Sequence, residues 1–118
     1  MQTTMDLRGE QGVALAELIA ERFRVLSEPT RIRLLDVLRD GPATVGELQL
    51  AIGSSQQNVS KHLGVLLRNG LVRRRRDGNH SRYSIEDESV FELCTQVCGG
   101  VRRRLAGLES VLEGGTHS

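Results

Sequence analysis

From Val13 to Leu26, "VALAELIAERFRVL" returns apolar residues every three or four positions, with Leu15, Leu18, Ile19, Phe23 and Leu26 on one side. This spacing predicts a first helix, stopped by "SEPT". There Ser27 is the expected cap, and Pro29 suits the first turn of the next helix, where a missing N–H costs nothing. In "TRIRLLDVLRD" the positions Ile32, Leu35 and Leu38 predict the buried side of a second helix, which Gly41-Pro42 ends. "TVGELQLAIG" reads as a short third helix: Thr44 and Glu47 stand at capping-box spacing and Gly53 closes the segment. "SSQQNVSKHLGVLLRNG" predicts a fourth helix, capped by a serine and terminated by Gly70. Val59, Leu63, Leu66 and Leu67 point inward, and Gln56, Gln57, Ser60 and Lys61 point outward.

The pattern then changes. "LVRRRR" and "HSRYSI" are two short segments separated by "DGN", a strong hairpin signal, with Leu71, Val72, Tyr83 and Ile85 at the base where they reach the core. A last helix is expected from about Asp87 to Leu112, interrupted at Gly99-Gly100 and trailing off in "EGGTHS". Along it Val90, Cys94, Val97, Val101, Leu105, Leu108 and Leu112 follow the seam of a packed helix pair. The expected fold is mainly α, five helices with a two-stranded β-hairpin wing. Residues 1–12 are expected to be a flexible N-terminal segment, 13–112 one DNA-binding and dimerisation domain, and 113–118 a flexible tail.

Composition narrows the class. Aromatic residues are 3% of the 118 and tryptophan is absent, so the core is aliphatic and favours helices packed on helices. A core this thin benefits from a partner subunit, and a homodimer is expected. No apolar run approaches the ~20 residues that span a bilayer, and "MQTTMDLRGEQG" lacks the apolar stretch of a secretory signal. A cytoplasmic protein without a membrane partner is expected, its two cysteines reduced.

Charge changes the picture most. The whole chain carries +1, yet Ser54 to Ile85 holds seven basic residues and one acid, Asp77. That local charge of +6 leaves −5 for the remainder. Such asymmetry points to a face for a polyanion. A short third helix, a four-residue break and a polar-faced fourth helix make a helix-turn-helix, and the basic hairpin after it makes it winged. In that arrangement the second helix enters the major groove of double-stranded DNA. There Gln56, Gln57 and Asn58 can bond to base edges, and Ser55, Ser60 and Lys61 to base or phosphate. The wing follows the backbone or minor groove, where Arg74, Arg76, Asn79 and Arg82 would grip phosphate. His62 either touches phosphate or packs beside the first helices. His80 is expected at the wing backbone, His117 in the tail, and Arg102 to Arg104 on a solvated face. Nothing assembles a nucleophile with a base, a P-loop or a nucleotide fold, so no enzyme is expected. The rival reading is a winged-helix protein–protein interaction module. The polar "SQQNVSK" face favours DNA, because an interaction helix carries an apolar or aromatic anchor.

"LSEPTRIRLLDVLRDG", "SSQQNVSKHLGVLLRNGLV" and "RRDGNHSRYSI" together resemble the ArsR/SmtB family of bacterial winged helix-turn-helix repressors, over roughly Leu15 to Leu112. The resemblance implies a homodimer joined through the first and last helices, two recognition helices offered to a palindromic operator, and release from DNA by an inducer, commonly a metal ion. It also implies base or phosphate contacts for Gln56, Gln57, Ser60 and Lys61, and a wing tip at Arg76, Asp77, Gly78 and Asn79. The sensing residues depart from the family. The third helix holds none of the cysteines of arsenic and cadmium sensors. Of the zinc-sensor positions on the last helix only Asp87 matches, with Ser89, Gly100 and Arg103 at the others.

Cys94 and Cys98 remain, four apart on one helical face. Three readings stay open for them: buried packing residues, a site for a thiophilic metal or metalloid ion, or a redox or persulfide sensor. In the first case the protein is a repressor without ligand sensing. An intrahelical disulfide is disfavoured, since i,i+4 Cβ atoms lie ~5–6 Å apart and a disulfide needs ~3.5–4.5 Å.

Overall fold

The computed structural model describes residues 5–116, with side chains as far as Leu112; His117 lies outside the described residues. The chain divides into two compact units, one ending at Asp87 and one beginning at Glu88. In the first, the order is α1 (Glu10–Leu26), α2 (Pro29–Leu38), β1 (Ala43–Thr44), α3 (Val45–Ile52), α4 (Gln56–Arg68), β2 (Val72–Asp77) and β3 (His80–Ile85). The second is α5 (Glu88–Thr116).

The core of the first unit is aliphatic, as the composition required. Leu34, Leu35, Leu48, Val59, Leu63, Leu66, Leu71 and Val72 are all but inaccessible to solvent. They come from α2, α3, α4 and the start of the hairpin, so the helix-turn-helix and the wing base share one core. The predicted inward stripe of α4 holds for Val59, Leu63 and Leu66, while Leu67 is half-buried. On α2 the expectation of Ile32 needs correction. Leu34 is fully buried and Ile32 is 43% exposed, because the buried arc is centred between Leu34 and Leu38 rather than following a strict three-residue step.

Helix ends explain the path of the chain. Glu28, not Ser27, is the N-cap of α2: its Oε2 accepts from the N–H groups of Thr30 (2.9 Å) and Arg31 (3.3 Å), and Pro29 occupies the first turn. A carboxylate suits this end because the helix N-terminus is positive. Ser27 instead closes α1, its hydroxyl donating to the Arg24 carbonyl at 2.7 Å. The capping box of α3 is present in full. Gly53 then takes a left-handed φ of 67°, turning the chain between the two helices of the motif.

The two-stranded hairpin wing forms from β2 and β3 as expected, and a third strand joins its sheet. β1 pairs antiparallel with β3 through Ala43–Tyr83 and Thr44–Arg82, giving the order β1-β3-β2. Two residues are too few to show alternation, so β1 leaves no pattern in sequence. The hairpin pairs Val72 with Ile85 through to Asp77 with His80 around Gly78-Asn79. Gly78 has φ 63°, the positive value that a tight hairpin requires at its first central residue.

α1 begins at Glu10, three residues ahead of the sequence expectation, and leaves Val13, Leu15, Leu18 and Phe23 exposed. α5 runs unbroken to Thr116, past the expected end at Leu112. The predicted interruption at Gly99-Gly100 is absent, since neither glycine adopts positive φ. Mid-helix glycine costs only about 1 kcal/mol against alanine, which a helix this long absorbs. Val97, Val101, Leu105, Leu108 and Leu112 on it are each at least half exposed. Among the described residues no helix is long and apolar enough to cross a membrane.

Candidate nucleic-acid interface

α4 is fixed at its start by a local bond set. Ser55 Oγ accepts from the Asn58 N–H at 3.1 Å, and the Asn58 amide donates to Ser54 Oγ at 2.8 Å. Ser55 is thus the N-cap, and Asn58 is half-buried with one amide hydrogen already used. Gln56, Gln57, Ser60 and Lys61 are exposed on the face opposite Val59 and Leu66. Their amides, hydroxyl and ammonium form no hydrogen bond within the described residues, which leaves them able to meet base edges and phosphates. Arg68 continues this face two turns beyond Lys61 and is also exposed. It was not singled out from sequence, although its i+7 spacing from Lys61 was the available signal.

His62 does not join them. It is 5% exposed, on the inner side of α4, so the phosphate reading is corrected to the packing one. Its Nδ1 accepts from Arg31 Nε at 3.2 Å and its Nε2 lies 3.5 Å from Glu28 Oε2.

Strand register sorts the wing arginines. Residues opposite one another in an antiparallel pair share a face. Arg74 and Arg76 therefore stand with Tyr83 and Ser81, while Arg73 and Arg75 stand with Ser84 and Arg82. Ion pairing divides them differently. Arg73 reaches Glu86 at 3.4 Å and Ser84 at 3.1 Å. Arg82 donates to Asp77 at 2.8 Å and to Glu47 at 3.2 Å. Arg74, Arg75 and Arg76 have no carboxylate partner among the described residues. Arg82, expected at phosphate, is held here by two carboxylates, and its guanidinium braces the wing against α3. Those partners hold its proton more firmly still, Asp77 foremost. Glu47 in turn titrates below the usual carboxylate range, chiefly because the Thr44 N–H bonds to it, then through the Thr44 hydroxyl and Arg82, with desolvation opposing. Arg75, not named among the wing contacts, belongs with Arg74 and Arg76 as an unpaired cation.

Two hollows adjoin this surface. One of about 220 Å³ is lined by Pro42, Arg73, Arg75, Arg76, Asp77, Arg82 and Ser84, and so is predominantly cationic. The other, about 400 Å³, runs from the start of α3 (Thr44, Val45, Gly46, Gln49) past Gln56 to Asn79, His80 and Ser81. Recognition helix and wing tip thus border one continuous groove, and Asn79 and His80 sit on its rim.

On α5, Cys94 is half-buried and Cys98 exposed, both as free thiols. Burial pushes the Cys94 thiol up, whereas Cys98 Sγ accepts from Arg102 Nε at 3.3 Å. Among the described residues no three His, Cys, Asp or Glu side chains are grouped to hold a metal ion. Asp87, the one match to a zinc-sensor position, lies 3.7 Å from Arg22.

A short helix, a glycine turn, a polar-faced second helix and an arginine wing define a winged helix-turn-helix DNA-binding protein. Comparison with known proteins agrees. A helix-turn-helix domain family matches residues 26–75. The HTH-type transcriptional regulator Rv0081 of Mycobacterium tuberculosis is 41% identical over 100 residues, spanning 84% of this chain and 88% of its own length. The crystal structure of Rv0081 matches with a TM-score of 0.70 at 40% identity, covering 79% of this chain and 94% of that one. The homodimeric winged helix-turn-helix DNA-binding domain of Mb0332 from Mycobacterium bovis gives 0.73 at 28% identity, covering 83% and 91%. The antimony-specific transcriptional repressor AntR gives 0.73 at 29%, covering 86% and 89%. This chain belongs to the ArsR/SmtB family of winged helix-turn-helix transcriptional regulators, and it is a DNA-binding regulator of transcription.

Proposed function

We propose that the protein is a cytoplasmic, non-enzymatic repressor that binds a palindromic double-stranded operator as a homodimer and leaves it when an inducer acts on α5. The observation that carries the DNA reading is an unencumbered polar face on α4, bordering one groove with the wing tip, beside a wing that carries three arginines without a carboxylate partner among the described residues. Dimerisation is supported by the exposed apolar positions of α1 and α5, more than a monomer of this size ordinarily leaves in water, and by the homodimeric state of Mb0332.

For the inducer, the antimony specificity of AntR supports a thiophilic species, and Cys94 and Cys98 are the only thiols of the chain. A pair of sulfurs from each of two chains would make a four-thiolate site. A metalloid could use one pair with a further ligand, and a thiol-reactive agent would meet exposed Cys98 first.

The test is a mobility-shift titration of the upstream region of the protein's own gene against random duplex, with wild type and Gln57→Ala. Loss of a bidentate base contact lowers discrimination by about 1–3 kcal/mol. If wild type shows no preference for any segment of that region, and instead retains an acidic protein partner, the interaction-module reading replaces this one.

A further inference from the structure

Among the described residues the one buried polar side chain is a histidine in the middle of the recognition helix. His62 meets a partner at each ring nitrogen: Nδ1 is hydrogen-bonded to Arg31, and Nε2 lies 3.5 Å from Glu28 Oε2. Arg31 Nε can only donate, so Nδ1 accepts that bond and the ring proton sits on Nε2, facing the Glu28 carboxylate. The two partners are themselves fixed. Arg31 Nη1 donates to the Val25 carbonyl at 2.9 Å, in the last turn of α1. Glu28 Oε2 holds the first N–H groups of α2. One cluster therefore joins the end of α1, the start of α2 and the centre of α4.

We infer that His62 is a positioning residue for base readout: through Arg31 and Glu28 it sets the rotation and height of α4, and with them the reach of Gln57, Ser60 and Lys61, without touching DNA. This rests on the proposal that α4 reads the operator. The remaining core contacts of α4 come from Val59, Leu63 and Leu66. Aliphatic contact is non-directional and tolerates a small slide or roll. Hydrogen bonds are not so tolerant, since they weaken steeply off axis. Among the described residues, His62 is the only side chain within α4 that bonds to another helix. Base readout needs placement to within about 0.5 Å, and the cluster supplies a fixed reference that the leucines do not.

The experiment compares His62→Leu, which keeps bulk and removes the bond to Arg31 and the polar contact with Glu28, with His62→Asn, whose side-chain oxygen stands where Nδ1 was and can still accept from Arg31. Thermal unfolding is measured with affinities for operator and random duplex. In His62→Leu the operator-over-random ratio falls about tenfold or more, the scale of one good base contact, while random-duplex affinity and its salt slope stay at wild-type values. His62→Asn recovers most of the ratio. Arg31→Lys keeps the charge but loses the paired donors, and it gives the same loss should His62→Leu fail to fold. In wild type, ring ¹⁵N shifts report the proton on Nε2. A folded His62→Leu with an unchanged ratio overturns the inference, as does His62→Asn falling as far as His62→Leu, or a proton found on Nδ1. If wild type itself does not prefer operator, the underlying reading fails first, and visibly so, in the Gln57 titration.

Discussion

Arg74 and Arg76 offer the sharpest quantitative test of the wing. Both are exposed, share one face of β2 and lack a carboxylate partner among the described residues. Each phosphate neutralised contributes about 0.9 to the log–log slope of affinity against salt on B-DNA. Arg74→Ala with Arg76→Ala removes four contacts from a dimer, so the slope should flatten by about 3.6. Between 50 and 200 mM salt, roughly 0.6 of a decade, wild type should therefore lose about a hundredfold more affinity than the variant. Fluorescence anisotropy across that range, on operator and on random duplex, reads the slope directly. Arg73→Ala is the control. It removes an equal formal charge from the same run, but Glu86 and Ser84 already occupy that guanidinium. Its slope should change by less than about 1, against about 1.8 for two genuine phosphate contacts. Equal effects of Arg73 and of either neighbour would refute the division made from ion pairing, and a loss confined to operator would refute phosphate contact altogether.

Leu105→Glu, placing a charge in the exposed apolar row of α5, should convert dimer to monomer in sedimentation at micromolar concentration and abolish operator binding. Thr44→Ala removes the α3 cap and should cost about 1 kcal/mol in urea unfolding. Glu47 titrates below its usual value in the fold, so its contribution is present above about pH 4.5 and is lost as pH falls through the lower folded value. Thr44→Ala should make that acid-side loss shallower, measured as unfolding midpoint against pH. Cys94→Ser with Cys98→Ser should leave operator affinity intact and abolish release by arsenite, cadmium, zinc, peroxide or a persulfide donor, whichever acts on wild type. Equal action on both proteins would assign the cysteines to packing alone.

Features written in local spacing were legible in the sequence. The Thr44–Glu47 capping box, the polar outer face of α4 and the hairpin turn at Gly78 all depend on residues within a few positions of one another, and each stands where the pattern placed it. Features that depend on distant partners were not. β1 is two residues whose only signature is pairing with Tyr83 and Arg82, some 40 residues later. His62 follows Lys61 directly, and periodicity puts it at the edge between the two faces. Only its partners on α2 decide which face it joins. Adjacent candidates also compete: Ser27 and Glu28 can both cap a helix, and the chain uses one at each side of the junction.

The acidic residues near the wing give the basic run its organisation. Counted by sequence, Ser54 to Ile85 carries +6. Glu47 and Glu86 lie outside that span, yet they approach Arg82 and Arg73 from α3 and from the strand end, while Asp77 holds Arg82 from the wing tip. Three carboxylates thus anchor two arginines, and the wing's cations without a carboxylate partner narrow to Arg74, Arg75 and Arg76. Exposed pairs of this kind contribute little to stability, typically under ~1 kcal/mol each, so their value lies in geometry. They hold the strands of the wing and the first turn of α3 in register, and they reduce the number of cations free to bind any DNA at all. Because non-specific affinity rises with every phosphate neutralised whereas base readout does not, trimming the free charge to three per wing favours discrimination over grip. On this argument Glu47→Gln, which leaves Arg82 with a single carboxylate, should raise affinity for random duplex more than for operator. A selective gain on operator would show instead that the Arg82 brace shapes the readout itself.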